Sequence, residues 1–192
     1  MRHLSVQSAT SRGFTLIEML VVIAIVGILT SIVYFSGSAV LPHKRIDNAT
    51  NSVKAIIKRA RSEAITQSAD RALRINPTAE TFELKVDLAD TTNIQTLDLT
   101  GGLAEINTLA NCGTSPSASN TMVMVFGSDG SIKQYYQNGA TAIPGSFPIV
   151  IAITAGGTTD NKEIVIHRAG IAKILDFGTT YDLTPGTGAC PS

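Results

Sequence analysis

The sequence predicts an α+β protein in which a long N-terminal helix packs on an antiparallel β-sheet. Three observations support this fold class. Residues 14–35 are almost entirely apolar, a second helical pattern follows Pro42, and short alternating segments separated by turn residues follow from about residue 70. We expect four regions: a leader at 1–13, an apolar helix at 14–41, an amphipathic helix at 42–68 and a β-rich head at 69–192.

The first element is a short leader followed by an apolar stretch of membrane length. As a helix, Phe14–Phe35 would span roughly 33 Å, enough for a bilayer core. The leader contains Arg2 and Arg12 and no acidic residue. An ordinary secretory signal is cut after its apolar region, whereas here the small residue, Gly13, precedes it. Cleavage at Gly13 would keep the helix and make Phe14 the new N-terminus.

One carboxylate interrupts this apolar stretch near its start. Glu18 is the only charged residue between Phe14 and Phe35. An ionised side chain at that depth of a membrane helix is costly unless it is paired, so its presence indicates a function.

The segment Gly13-Phe14-Thr15-Leu16-Ile17-Glu18, with its apolar continuation, resembles the N-terminus of type IV pilin-like prepilins. The resemblance implies that a prepilin peptidase cleaves between Gly13 and Phe14 and methylates the amine of Phe14. It also implies that Glu18 pairs with the N-terminal amine of a neighbouring subunit. One departure is the absence of a proline near Tyr34-Phe35, and Pro42 is expected to break the helix instead.

The second element is an amphipathic helix. Its apolar positions recur every three or four residues and are expected to lie on the sheet: Ile46, Ala49, Val53, Ile56, Ile57, Ala60 and Ala64. Lys54, Lys58 and Arg61 fall largely on the other side. The stretch Ala60–Ile65 resembles that of the GspH/FimT group of minor pilins and pseudopilins, which implies a structural role.

The remaining elements are predicted strands joined by turns. Three hairpins are expected, at 71–75 with 82–86, at 122–126 with 132–136, and at 149–153 with 164–167, followed by a last strand at 172–177. In the first hairpin Phe82, Leu84 and Val86 should be buried. Residues 88–120 predict a long irregular connection, and the tail from 179 should also be irregular.

The head contains the two cysteines, Cys112 and Cys190. If the head lies outside the cytoplasm, a disulfide between them is expected, although two unpaired thiols remain the alternative. The bridge would close a loop of about 80 residues and stabilise the fold by roughly 4 kcal/mol.

No pattern indicates an enzyme, a cofactor or a metal site. His43 and His167 are isolated, and Asp129 and Asp160 occupy turns, where calcium binding is the alternative to plain turn chemistry. Some pilus members of the group carry a basic DNA-uptake motif. The comparable stretch here, Gly170–Lys173, has only Arg168 and Lys173 nearby, which disfavours nucleic acid as a partner.

The resemblance implies a structural subunit, and the charge is unevenly distributed along the chain. Loss of the leader leaves 13 basic and 15 acidic residues, with the basic ones concentrated in the stem. The resemblance implies a single-pass protein of the bacterial inner membrane, with its head outside the cytoplasm. It would enter a type II secretion pseudopilus or a type IV pilus. Its implied partners are other pilins, the prepilin peptidase, an inner-membrane assembly platform and the lipid bilayer. The alternative is a pilus-associated subunit for DNA uptake or ligand binding.

Overall fold

The computed structural model describes residues 14–102, 104–111, 114–117, 121–137, 147–155, 161–177, 179 and 181. The chain divides into two units, Met1–Val40 and Leu41–Ser192. The described elements are α1 (Leu16–Thr66), β1 (Arg71–Asn76), β2 (Thr81–Lys85), β3 (Asn93–Asp98), a 3-10 turn (Thr100–Gly102), β4 (Ala104–Asn111), β5 (Thr114–Ser117), β6 (Met122–Phe126), β7 (Ile132–Gln137), β8 (Ile149–Ala155), β9 (Asn161–Ile166) and β10 (Ala172–Ile174).

Helix α1 is continuous over 51 residues and includes Pro42. The predicted break at Pro42 is therefore wrong. A proline removes one hydrogen bond to the carbonyl four residues earlier and crowds that carbonyl, but the turns on either side can continue if the helix adjusts locally.

The strands of the head form two antiparallel sheets. The first has the order β3-β2-β1-β6-β7 and the second the order β10-β9-β8-β4-β5. All three predicted hairpins are present, as β1–β2, β6–β7 and β8–β9. The expected fold class is confirmed, with the strands divided between two sheets.

The head segment of α1 packs into a hydrophobic core with both sheets. All seven predicted apolar positions of this segment are buried. The six from Ala49 to Ala64 join inward-facing side chains of the first sheet, such as Leu73 and Phe82, and of the second, such as Ile151 and Ile164. Burying a large apolar side chain contributes roughly 1.5–3 kcal/mol, so this face anchors the helix to the head.

Residues 88–120 are more ordered than predicted, since they contain β3, β4 and β5. Strand β3 is polar because it pairs only with β2 at the edge of its sheet. Strand β4 lies between β8 and β5, and buries Ala104 and Ile106 between polar residues. Its apolar alternation is short and is interrupted by Asn107 and Thr108, so the sequence pattern did not predict a strand here.

Two smaller expectations are also corrected. Val86 is exposed, because β2 ends at Lys85 and Val86 starts the following loop. The last strand ends at Ile174, where the chain leaves β9. Several expectations lie outside the described residues: the leader with Gly13, the Cys112–Cys190 bridge, the turn containing Asp160 and the tail beyond residue 181.

The segment after β10 is tied to β9 through Glu163. The backbone N–H of Leu175 donates to the Glu163 carbonyl at 2.9 Å, and that of Tyr181 donates to the Glu163 carboxylate at 2.6 Å. The Glu163 residue is only 5% exposed. Burial raises the pKa of its carboxyl, and the bond from Tyr181 opposes this only in part.

We expect Glu163→Gln to stabilise the protein at neutral pH. Because the pKa of Glu163 is higher in the folded than in the unfolded protein, its contribution to folding stability is fully present below the unfolded-state pKa. That contribution is lost as the pH rises through the folded-state pKa. Glutamine keeps an acceptor for Tyr181 without the buried charge. The gain should be about 1 kcal/mol, or roughly 2–4 °C in Tm.

Thermal unfolding of the full chain in detergent, at neutral and at acid pH, tests this prediction. The difference between variant and parent should disappear at acid pH. Glu105→Gln, at an exposed position, is the control and should change Tm little at either pH. A lower Tm for Glu163→Gln at neutral pH would contradict the account.

Candidate assembly site

The N-terminus of α1 is capped by Thr15. The backbone N–H of Glu18 donates to the Thr15 carbonyl at 3.1 Å and to its hydroxyl Oγ1 at 3.3 Å. The N–H of Met19 donates to the same carbonyl. Thr15-Leu16-Ile17-Glu18 has the spacing of a capping box, in which the first side chain satisfies a free N–H of the helix. The helix therefore begins directly after Phe14 and Thr15.

Glu18 lies in the first turn of this helix and is exposed. A negative charge at this position is favoured by the positive end of the helix dipole. Within the part of the chain that the structure describes, Glu18 forms no ion pair. Its charge is therefore open to a partner outside the described chain.

The rest of this segment presents an apolar surface on all sides. Its large hydrophobic residues, from Phe14 to Ile32, are 48–84% exposed. The hydroxyls of Thr30 and Ser31 donate to backbone carbonyls of the same helix at 2.7 Å, so neither needs water. An exposed apolar surface of this extent marks an interaction site. No helix within the described residues has both the length and the apolar character required to cross a membrane.

The structure places the predicted site residues in two groups. Phe14 and Glu18 lie together, directly before and within the first turn of α1. Gly13, Cys112 and Cys190 lie outside the described residues. The cap formed by Thr15 was not predicted, although the three-residue spacing between Thr15 and Glu18 is the sequence signal of such a cap.

His43 belongs to a packing cluster in the head. Its ring meets Phe177 edge to face at 4.8 Å, and Lys162 lies 4.4 Å from the centre of the same ring while pairing with Asp47. This arrangement fixes the start of the head helix segment to β9 and the chain after β10.

The other candidate polar residues occupy turns. His167 ends the β9 region, where its N–H donates to the Ile171 carbonyl. The N–H and hydroxyl of Ser131 donate to Asp129 and lower the pKa of its carboxyl. Asp129 is therefore engaged in turn chemistry. Among the described residues, no group of three or more His, Cys, Asp or Glu could hold a metal ion.

Arg61 connects the helix to two turns. Its Nε donates to the Gly130 carbonyl in the β6–β7 turn at 3.2 Å. Gly170, in the β9–β10 turn, packs against the same carbonyl. Both glycines have positive φ, a conformation that glycine adopts without strain. The stretch compared with a DNA-uptake motif is thus partly engaged in joining the two sheets.

The model of the prokaryotic N-terminal methylation motif matches residues 9–34. The type IV minor pilin FimU of Pseudomonas aeruginosa has a similar structure, with a TM-score of 0.50 and 14% identity over 70% of this chain and 90% of FimU. The minor pseudopilin EpsH of the Vibrio cholerae type 2 secretion system gives a TM-score of 0.46 and 12% identity, over 68% of this chain and 96% of EpsH. No curated protein matches the sequence significantly.

Proposed function

We propose that this chain, which is type IV pilin-like by its methylation motif and its fold, is a minor structural subunit of a type IV pilus or a type II secretion pseudopilus. The observation that carries the proposal is the capped apolar helix with one exposed carboxylate, inside the matched motif. A helix of this kind can bundle with copies or relatives of itself. If each subunit contacts the next through two different surfaces, the assembly does not close into a ring and extends into a fibre.

Processing is the first step of the proposed function. A prepilin peptidase would cleave between Gly13 and Phe14 and methylate the new amine. Phe14 is 73% exposed and lies two residues before α1 begins, so the mature chain would start directly before the helix. Cleavage there removes both leader arginines and leaves the apolar helix at the start of the mature chain.

Pairing between subunits is the second step. The new amine of one subunit would approach Glu18 of its neighbour as the apolar helices come together. Both charges would then leave water, and pairing would offset the cost of removing each of them. The apolar surface supplies the attraction, and the single charge pair sets the axial register of neighbouring helices.

Before assembly we place the protein in the bacterial inner membrane, with the apolar segment in the bilayer and the head outside the cytoplasm. This part of the proposal rests on the motif and on the apolar sequence that follows it. An assembly platform in that membrane would extract the subunit into the filament. The function requires no catalytic residue of this chain.

The N-terminus of the mature protein tests the proposal. Intact-mass and N-terminal analysis of the protein extracted from its native host should give a chain that starts at N-methylated Phe14. This result is expected only if a prepilin peptidase recognises the leader. Without reductant, the same spectrum should show the proposed Cys112–Cys190 bridge as the loss of two hydrogens.

A chain that retains the leader would overturn the proposal. The matched control is Gly13→Leu, which should block cleavage because the peptidase would meet a bulky side chain before the scissile bond. That variant should keep its leader and its unmethylated N-terminus. Equal processing of the control and the parent would show that another protease makes the cut.

A further inference from the structure

Exposed apolar side chains are few on the described part of the head. Among its large hydrophobic residues, those exposed are Leu41, Ile65, Val86, Leu88 and Ile171. Apart from Leu41, they fall into two pairs. Ile65 and Ile171 lie beside basic residues, whereas Val86 and Leu88 lie beside acidic ones.

The first pair lines a groove of about 410 Å³ between the end of α1 and β10, which we call the basic groove. Ile65 is 46% and Ile171 53% exposed, and Lys58 and Arg61 lie along the same groove. The bond to the Gly130 carbonyl holds Arg61 in place. Within the described residues, neither Lys58 nor Arg61 forms an ion pair.

The second pair lies on residues 86–90, which we call the acidic loop. Its shape is fixed by hydrogen bonds: Ala89 N–H donates to the Asp87 carboxylate at 2.6 Å, and Thr92 N–H to the Asp90 carboxylate at 2.8 Å. Lys85 donates through Nζ to the Asp90 carbonyl at 3.2 Å. In the part of the chain that is described, neither Asp87 nor Asp90 forms an ion pair; Asp87 is exposed and Asp90 is half-buried.

The groove and the loop lie towards the same end of the head. Lys85, directly before the acidic loop, lies opposite Ala72 in the β1–β2 ladder, and Ala72 follows the end of α1 by a few residues. The basic groove is at that end of α1, where the β9–β10 turn packs on Arg61. No residue of the acidic loop lines the basic groove, and the apolar side chains of both surfaces are exposed. Each surface is therefore available to another subunit.

We propose that the basic groove of one subunit receives the acidic loop of a second copy of this chain. Val86 and Leu88 would cover Ile65 and Ile171, while Asp87 and Asp90 would approach Lys58 and Arg61. Opposite charges around a small apolar contact give it specificity and orientation. Because the two surfaces differ, the contact is heterologous, with the groove of one copy facing the loop of the other.

This contact rests on the proposed function in one respect. It is too small to hold two free proteins together, since stable interfaces bury about 1,200–2,000 Å². It would act between subunits that the N-terminal helices already hold side by side. Its role would be to set the rotation of one head relative to the next.

Cysteine cross-linking of full-length protein in the native host tests the contact. Two tagged copies are co-expressed, one with Ile171→Cys and the other with Leu88→Cys. We expect a heterodimer between the two tags that reductant removes. Cells with Ile171→Cys in both copies, cells with Leu88→Cys in both, and cells with the parent chain control for Cys112 and Cys190, and none should give this product.

Charge reversal separates the specific contact from random collision. Lys58→Glu in the copy with Ile171→Cys should eliminate the heterodimer, and adding Asp87→Lys to the other copy should restore it. Lys44→Glu, an exposed position on the same helix outside the groove, should leave the product unchanged.

Several outcomes would overturn the contact. One is a heterodimer that Lys58→Glu does not reduce, and another is a cross-linked product formed only with a different protein. A third is loss of the product after nuclease treatment, which would point to nucleic acid in the groove. Methylated, sedimenting filaments that contain the protein but yield no heterodimer would overturn the contact and leave the filament function standing. Unmethylated protein would instead overturn the filament function.

Discussion

Replacing Glu18 by glutamine is expected to abolish incorporation of the protein into filaments and to leave cleavage after Gly13 unchanged. Glutamine has nearly the same size as glutamate and suits the third helical position of a capping box equally well. The helix should therefore start at the same residue. Only the charge is lost, so any defect in assembly reports pairing with the amine of a neighbouring subunit.

The size of this effect follows from the surroundings of the charge. The amine of Phe14 would enter a bundle of apolar helices, where removing one partner of a buried pair costs about 3–5 kcal/mol. A loss of that order at each subunit shifts an assembly equilibrium by at least two orders of magnitude. Incorporation should thus be reduced to background rather than merely lowered.

Fractionation of the host measures the result, with N-terminal analysis of the membrane pool and immunoblotting of sheared filaments. Glu18→Ala should be processed and unincorporated in the same way, and Glu18→Leu should behave likewise while favouring insertion. Glu18→Asp, which keeps the charge on a shorter side chain, should retain part of the incorporation. Normal filaments with Glu18→Gln would remove the pairing account and leave Glu18 with a capping role.

Thr15→Ala is the matched control for the cap. It removes the hydroxyl that accepts the Glu18 N–H and should cost about 1 kcal/mol at the helix start. Because the charge of Glu18 remains, incorporation should persist. A failure of Thr15→Ala as complete as that of Glu18→Gln would show that the geometry of the first turn, and not the charge, controls assembly.

The elements predicted correctly from sequence are those whose pattern is local and repetitive. The seven apolar positions predicted for the head helix are all buried because a period of three to four residues fixes one helix face. The β6–β7 hairpin is predicted equally clearly, since Gly127-Ser128-Asp129-Gly130 separates two strand-like runs.

The errors have physical reasons. Strand β3 carries polar side chains at an edge, where solvent takes the place of a neighbouring strand. The predicted break at Pro42 was wrong because the sequence alone does not show whether the surrounding helical turns can tolerate one missing hydrogen bond. The same limit applies to the basic groove, since Arg61 and Gly170 are distant in sequence and meet only through the packing of two turns.

Gly170→Ala is expected to destabilise the head strongly, whereas the same change at Gly101 should have little effect. Gly170 has a φ of +72°, where a residue with a Cβ is strained by roughly 1–2 kcal/mol. A Cβ at this position would also lie 2.3 Å from the Gly130 carbonyl oxygen. That oxygen belongs to the backbone and cannot move aside alone, since it accepts the Arg61 Nε bond.

The strain would therefore spread through the junction of the two sheets. The N–H of Ile132 in the first sheet donates to the Arg168 carbonyl at 2.8 Å, in the turn that contains Gly170. Moving that turn would lengthen this bond and the bond from Arg61. The combined loss should be about 2–4 kcal/mol, or roughly 5–15 °C in Tm.

Thermal unfolding of the full chain in detergent measures this loss. Gly101→Ala is the control, because no atom lies within 4 Å of a Cβ placed there and its φ is not positive. It should change the free energy of unfolding by no more than about 0.5 kcal/mol. Equal stability of the two variants would show that the β9–β10 turn yields without cost, and that the two sheets are joined through the core alone.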